Sequence, residues 1–512
     1  TMNRVKSTIP FVGLHAHSTA GSPFDAIGYP QQHMDFAYEN GCDALALTDH
    51  GNCNGLAYQV LHAKSMEKEG KDFKPIYGCE AYFIPSLTEW SEAYEQSKTD
   101  KKKKKEKASS GFSLEDEAET KSTKNTLNHR RHLVLLAQNR TGLNNIFKLV
   151  SQSYKPGNFY RFPRIDYDLL RTHNEGVIAS SACLGGVYAG DLWENLDNGD
   201  EATLNAMRKT TENMRSIFGD RWYAELQWFK HPMQMKLNKF IIQVAEEYSL
   251  ELISTADSHY FNPTVWKDRE LYKRFRPGAT SFFGEMADNL EDFGMELYPK
   301  NGDQMFASYK KYSSELGEKF DDDLVKESIA RTHHIAHERI DKFYPDNTVR
   351  LPSFVIPEGM DEDEALSEMS WNGLASVVVC FKNKEYTERL DRELKIIKDR
   401  GFSRYFLTMK AIADKATSMQ ITGPSRGSAG GSLVAYVLGI TQVDPIKHGL
   451  LFSRFLRADA TDYPDIDYDV SDPMTLKESL VNEWGEDNVV PISNWNTLQL
   501  RSLIKDIAKF YD

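Results

Sequence analysis

The feature that most constrains this chain is an alternation, across its first half, of short apolar runs with amphipathic stretches. The runs Phe11–Leu14, Ala44–Leu47, Pro75–Tyr77, Leu133–Ala137, Gly176–Ala179 and Leu252–Ser254 lack the every-other-residue polarity of a half-solvated strand and read as buried parallel strands. Between them, Pro30–Asn40, Leu56–Lys68, Leu143–Ser153 and Met233–Tyr248 carry apolar residues at helical spacing. Repeated βα units of this kind predict an α/β fold, either a barrel or a doubly wound sheet. At 512 residues the chain has room for two or three domains, and its 40% hydrophobic fraction is enough to fill their cores.

Some classes are excluded early. No apolar run approaches the roughly 20 residues that cross a bilayer, and no apolar segment of a secretion signal follows Thr1-Met2-Asn3-Arg4. Cys42, Cys53, Cys79, Cys183 and Cys380 are odd in number and scattered, which points to a reducing cytoplasm rather than a disulfide framework. A net charge of −13 neither supports nor excludes a nucleic-acid partner, because a local groove can be basic on an acidic protein. A low-complexity insertion from about 97 to 126, with Lys101–Lys105 at its centre, reads as a solvated disordered loop, with a DNA-tracking loop as the sharper alternative. From Asp268 to about Lys384 the sequence is mostly helical and polar, and a second periodic region begins at Tyr386.

Ligand-type residues recur around the ends of the strands. His15 and His17 follow Phe11–Leu14 at i and i+2, so both imidazoles leave the strand on one side. Asp49-His50 closes the second run, Glu80 follows the third, His132 flanks the fourth, Cys183 follows the fifth, and Asp257 and His259 follow the last. Any one of these could be an ordinary polar residue; the repetition points to a shared metal centre, at the end of a barrel where such folds place their chemistry.

Two further signals stand in the second half. The loop Gly423–Ser432 opens the apolar helix Leu433–Leu438, and glycines there let backbone N–H groups approach phosphate, assisted by the helix dipole. No lysine follows its last glycine, so it is not a Walker loop. The stretch Pro464-Asp465-Ile466-Asp467-Tyr468-Asp469, read as a strand, puts Asp465 and Asp467 on one face. Adjacent carboxylates repel unless cations bridge them, and two Mg²⁺ ions spanning an attacking hydroxyl and a leaving phosphate would do so.

The stretches LHAHS, LALTDHGN, GCEAY, HLVLLAQN, SACLGG and DSHYFNP resemble the motifs of the polymerase and histidinol phosphatase (PHP) domain, in the version that opens bacterial DNA polymerase III alpha subunits. The run ITGPSRGSAGGSLVAYVLGITQVDPIKHGLLFSRFLRADATDYPDIDYD resembles the palm of the same family. The resemblance implies a distorted (β/α)7 PHP barrel over about 1–270, followed by an α+β polymerase palm over about 271–496 and the start of a thumb at 497–512. It implies Zn²⁺, Mn²⁺ or Fe²⁺ held by His15, His17, Asp25, His50, Glu80, His132, Cys183, Asp257 and His259, with 3′→5′ exonuclease activity as a possible consequence. In the palm it implies catalytic Mg²⁺ on Asp465 and Asp467, triphosphate contact by Gly427 and Ser428, phosphate or primer contact by Arg454, and Asp469 behind the two catalytic carboxylates. Two positions depart from the family pattern: His17 to Asp25 is one residue longer, and Ala460 stands where the family has an arginine that Arg457 would have to replace. The expected partners are a DNA primer–template, deoxynucleoside triphosphates, and a C-terminal polymerase chain. That chain would bring the thumb, fingers and third catalytic aspartate and, through itself, a sliding clamp. On this reading the chain is a truncation, one piece of a split gene or a half later spliced. A stand-alone metallophosphoesterase and a non-catalytic replisome scaffold are the competing readings.

Overall fold

A computed structural model describes residues 4–107, 127–273, 296–377, 383–492 and 499–511. The chain divides into two compact units, one of Thr1–Asp346 with Arg501–Asp512 and the other of Asn347–Leu500.

Six strands of the first unit form one curled sheet in the order β1 (Ala44–Leu47), β2 (Lys74–Phe83), β3 (Arg131–Ala137), β6 (Val177–Ser180), β7 (Trp222–Gln227), β8 (Glu251–Thr255); β4 (Phe159–Tyr160) and β5 (Phe162–Pro163) pair separately. A seventh extended segment, residues 11–17, joins the two edges of the sheet. On one side it bridges Gly13 to Leu45, and on the other it bridges Ala16 to Ser258. Ala46 N and Thr48 N donate to Gly13 O and Ala16 O, while Ser258 N donates to His15 O. The hydrogen-bond circuit therefore runs through seven members, as a PHP-type (β/α)7 barrel requires.

The sheet is not all parallel. β1–β2, β6–β7 and β7–β8 are parallel, but β3 is antiparallel to both β2 and β6. The reading of Leu133–Ala137 as a parallel strand is thus corrected. The stretch is hydrophobic on both faces because it is buried on both, which an antiparallel strand inside a barrel shares with a parallel one. Alternate residues fill the interior: Val12, Leu14, Ala44, Ala46, Ile76, Val134, Leu136, Ile178, Tyr223 and Ile253 form one buried cluster with Ile335, Ala336 and Ile340. These last three belong to a π-helical turn, Ile335–Arg339, and its flank, which close the barrel end away from the ligand-type residues. Lys74, itself buried, fixes that turn by donating from Nζ to the carbonyls of Ala336 and Ile340.

Helices cover the outside, among them Pro30–Glu39, Leu56–Lys68, Arg140–Ser153 and Pro232–Tyr248, close to their expected spans. The helices Gly302–Glu315 and Asp322–His334 add Met305, Tyr309, Tyr312, Val325 and Ile329 to the buried layer between the sheet and these covering helices. This shared burial carries the compact unit on to Asp346, beyond the 270/271 division expected from the sequence. Lys101–Lys105 belong to the helix Leu87–Lys107 rather than to a loop, and 108–126 lie outside the described residues. No helix is long and apolar enough to cross a membrane among the described residues.

The second unit is built on helices Glu362–Val377, Lys384–Arg400 and Ser403–Met419, whose Leu366, Leu374, Leu390, Ile397 and Phe406 pack with Leu433 and Val434. Gly401, at φ 72°, ends the second of these helices in the left-handed conformation that glycine adopts without a Cβ clash. Among the described residues of this unit the β contribution is two isolated bridges, Thr422 with Val470 and Arg426 with Asp467.

Candidate metal centre

Reversal of β3 explains a detail of the ligand pattern. In the parallel members the ligand types follow the apolar run, whereas His132 comes at the start of β3. Running the other way, β3 delivers its beginning to the rim where its neighbours end, and His132 bridges to Gly186 there.

All nine expected ligands meet at this rim. His15 Nε2 lies 3.1 Å from Asp257 Oδ1 and 3.3 Å from Glu80 Oε1, and His17 Nε2 lies 3.1 Å from Asp257 Oδ1 and 3.4 Å from Glu80 Oε2. On its other flank Glu80 approaches His50 Nδ1 at 2.7 Å and His132 Nδ1 at 3.0 Å. Cys183 Sγ is 3.5 Å from His132 Nδ1 and 3.9 Å from Glu80 Oε1. Asp25 Oδ2 is 2.8 Å from His50 Nε2 and 3.3 Å from His259 Nε2, so its longer spacing from His17 is absorbed by the intervening turn. Three overlapping trios result: His15 with His17 and Asp257, His17 with His50 and His259, and His50 with Glu80 and His132.

Burial is graded across the cluster. The side chains of His15, His17 and Glu80 are 0% exposed and make a floor; His132 at 21% and Asp25 at 36% make an open lip. His15 Nε2, His50 Nδ1 and Glu80 Oε2 are buried and form no aligned hydrogen bond, although polar atoms stand 2.7–3.4 Å away. Buried polar groups are normally paired. Close but misaligned ligand atoms are what side chains converging on a cation present, and the imidazole, carboxylate and thiol set fits borderline transition metals.

The electrostatics follow from this crowding. Burial alone would raise the Glu80 carboxyl, but His132, His50 and His15 hold it well below its usual range. Asp257 is likewise held low against burial, by His15 and His259 first. Burial works against the charged form of His15, yet Asp257, Glu225 and Glu80 together raise it; His17 is lowered by burial and by the neighbouring His50 and His259. Burial, and then the charge of Glu80, push the Cys183 thiol up, so its use as a thiolate ligand would release a proton. Asp257 also sits at φ 47°, a left-handed conformation tolerated by few residue types other than glycine, asparagine and aspartate.

Two side chains of the centre were not anticipated. Glu225, on β7, accepts from His15 Nδ1 at 3.0 Å, and its other contacts are to Thr255 Oγ1, Ser180 Oγ and Ala182 N. It lies behind the ligands and fixes the His15 ring, as carboxylates behind metal-binding histidines do. Arg269 donates to the backbone and side chain of Asp25, at 2.6 and 2.9 Å.

In the second unit, Asp465, Asp467 and Asp469 are exposed while Ile466, Tyr468 and Val470 turn inward, so the alternation expected of a strand holds on a segment that forms only isolated bridges. Gly427, at φ 66°, lies against this segment, and a Cβ there would come within 2.2 Å of Asp467 Oδ2. Ser428 is exposed beside it. Arg454 is exposed on the 3-10 turn Phe452–Arg454, and it is Arg426 that pairs with Asp469, at 3.2 Å. Arg457, considered as a stand-in for the missing arginine, pairs with Asp459 at 2.7 Å. The expected helix-dipole contribution to phosphate binding is corrected. The helix is only Leu433–Val437, and the buried Glu393 already accepts from Leu433 N, Val434 N and Ser432 Oγ, each at 3.0 Å.

Residues 13–228 match the family model of the PHP domain, and residues 364–512 match that of the bacterial DNA polymerase III alpha NTPase domain. The DNA polymerase III subunit alpha of Aquifex aeolicus is 34% identical over 98% of this chain, and that of Thermus aquaticus is 30% identical over 99%. The Helicobacter pylori (strain J99) subunit is also 30% identical over 99%. The chain spans 39%, 42% and 39% of the length of these three relatives.

Proposed function

This chain belongs to the family of bacterial DNA polymerase III alpha subunits, matched along the roughly two fifths of their length that it spans, and from that premise we propose that it carries two phosphoryl-transfer centres acting on DNA. The observation that supports the first is the meeting of nine ligand-type side chains at one rim of the barrel, with buried, unaligned polar atoms facing one another.

In this reading His15, His17, Asp25, His50, Glu80, His132, Cys183, Asp257 and His259 hold two or three ions of Zn²⁺, Mn²⁺ or Fe²⁺. When bound, such ions activate water and offset charge on a departing phosphate oxygen. The chain's own residues do the positioning. Glu225 holds the His15 ring, Arg269 anchors Asp25, and the floor of His15, His17 and Glu80 excludes bulk water. The open lip at Asp25 and His132 is where a 3′-terminal phosphodiester enters.

The second centre is the palm. Asp465 and Asp467 hold Mg²⁺, Gly427 and Ser428 contact the triphosphate, Arg454 contacts phosphate or primer, and Asp469 is restrained by Arg426. Its work requires a primer–template, deoxynucleoside triphosphates and the complementary C-terminal polypeptide, through which a sliding clamp is reached, in the bacterial cytoplasm.

Labelled single-stranded DNA incubated with the chain and Mn²⁺ tests the first centre. Shortening from the 3′ end is expected, and Asp257→Asn, which removes a ligand rather than a partner behind one, should slow it by no less than the roughly 10- to 100-fold typical of losing such a partner. An unchanged rate in that variant would assign the activity to a contaminant and overturn the reading.

A further inference from the structure

A second group of metal-ligand side chains stands at the opposite end of the barrel. Asp43 immediately precedes β1, and so lies at the end where that strand begins. His333 and His337 are four residues apart, where the helix Asp322–His334 runs into the π-helical turn Ile335–Arg339, and this spacing sets both rings on one helical face. The ring centroids are 4.3 Å apart. His337 Nε2 is 2.9 Å from Asp43 Oδ1 and His333 Nε2 is 3.4 Å from Asp43 Oδ2, with one ligand atom from each residue inside a 4.8 Å span.

We propose that Asp43, His333 and His337 form a structural Zn²⁺ site that fastens the barrel's plug to strand β1. In tetrahedral geometry, ligands about 2.0–2.1 Å from zinc stand about 3.3 Å from one another. The two His–Asp separations, one to each carboxylate oxygen, bracket that figure, and one ligand atom of each residue already lies within 4.8 Å of the others, so rotation of the partly exposed side chains is what seats the ion. The scaffold is already rigid. Val325, Ile329, Ile335 and Ala336 are fully buried, and Lys74 pins the carbonyls of Ala336 and Ile340 from inside. The three side chains are 30–41% exposed, which leaves the fourth position to water. The ion joins positions 290 and 294 residues apart, and acts as a cross-link between the first barrel strand and the segment that closes the barrel.

The test uses the full chain, stripped with chelator and titrated with Zn²⁺ alone. Wild type is expected to bind one equivalent more than either His337→Gln or Asp43→Asn, and to gain more in Tm from zinc than either variant does. Both variants should keep the 3′-shortening activity of the rim centre. Zinc stoichiometry equal to wild type in both variants would mean that the trio is only a hydrogen-bonded cluster, and would overturn the proposal. Loss of zinc together with loss of hydrolysis would place the missing ion at the rim, and would also overturn it. The two outcomes are separable from any failure of the DNA-hydrolysis reading, because stoichiometry and Tm are read without DNA.

Discussion

Glu225 shows how much of the candidate metal centre lies behind its ligand-type side chains. Its two oxygens receive His15 Nδ1, Thr255 Oγ1, Ser180 Oγ and Ala182 N inside the barrel, and the residue is 1% exposed. Glu225→Gln keeps the shape but removes the charge and turns one acceptor into a donor that faces other donors. Metal affinity at the rim should fall by about 10- to 100-fold, because the His15 ring loses its orienting partner. Competition with a graded series of chelators measures this, and retention equal to wild type would show that His15 is oriented by its own packing. The side chains that meet at the rim could be read from the sequence because imidazole, thiol and carboxylate recur where apolar runs end. Glu225 could not, because it sits in the middle of Trp222–Gln227, where a charged residue between apolar ones obscures a strand whose six residues are all buried.

Among elements, the short helix Leu433–Val437 depends on a residue 40 positions earlier. Glu393 on the helix Lys384–Arg400 is fully buried, takes the N–H groups of Leu433 and Val434, and is charge-paired to Arg389 Nε at 2.5 Å. Arg389 in turn donates to Gly431 O at 2.7 Å, so one ion pair fastens both the glycine loop and the helix after it. Glu393→Ala leaves those donors and the guanidinium unpaired, and should destabilise the second unit by about 3–5 kcal/mol, with Glu393→Gln costing less. Hydrogen exchange at Leu433 and Val434 reads the effect locally; undiminished protection in the alanine variant would show that the loop is held by packing alone. The sequence displayed the glycines and the helix but not this partner, since nothing in a local pattern reveals that a glutamate at a core position of another helix will cap it. Strand direction was hidden for a similar reason: β3 has the composition of a doubly buried strand, and composition carries no sign.

At the scale of the whole molecule, the barrel was legible from its βα periodicity, while the extent of its compact unit was not. The helices Gly302–Glu315 and Asp322–His334 are polar enough to read as a separate helical region, yet their few apolar residues are buried in the layer between the sheet and its covering helices. Asp465, Asp467 and Asp469 are exposed on one face of the second unit with Gly427 against Asp467, and in the proposed reading Asp465 and Asp467 supply part of a two-metal site. Phosphoryl transfer draws much of its rate from positioning. The matched relatives are far longer than this span, so primer extension is expected only when the region corresponding to the rest of their length is supplied, and should vanish with Asp465→Ala or Asp467→Ala. Robust extension by the 512-residue chain alone would refute this division of labour. The reversed strand also has a practical corollary. Because β2 and β3 run in opposite directions, β2 ends and β3 begins on the same rim of the barrel. A junction between two such ends needs no crossover, so its length is uncoupled from barrel closure, and added chain costs only logarithmically. A fluorophore or foreign module spliced between these two strand ends would report on the mouth of the candidate metal centre while leaving the staves in register.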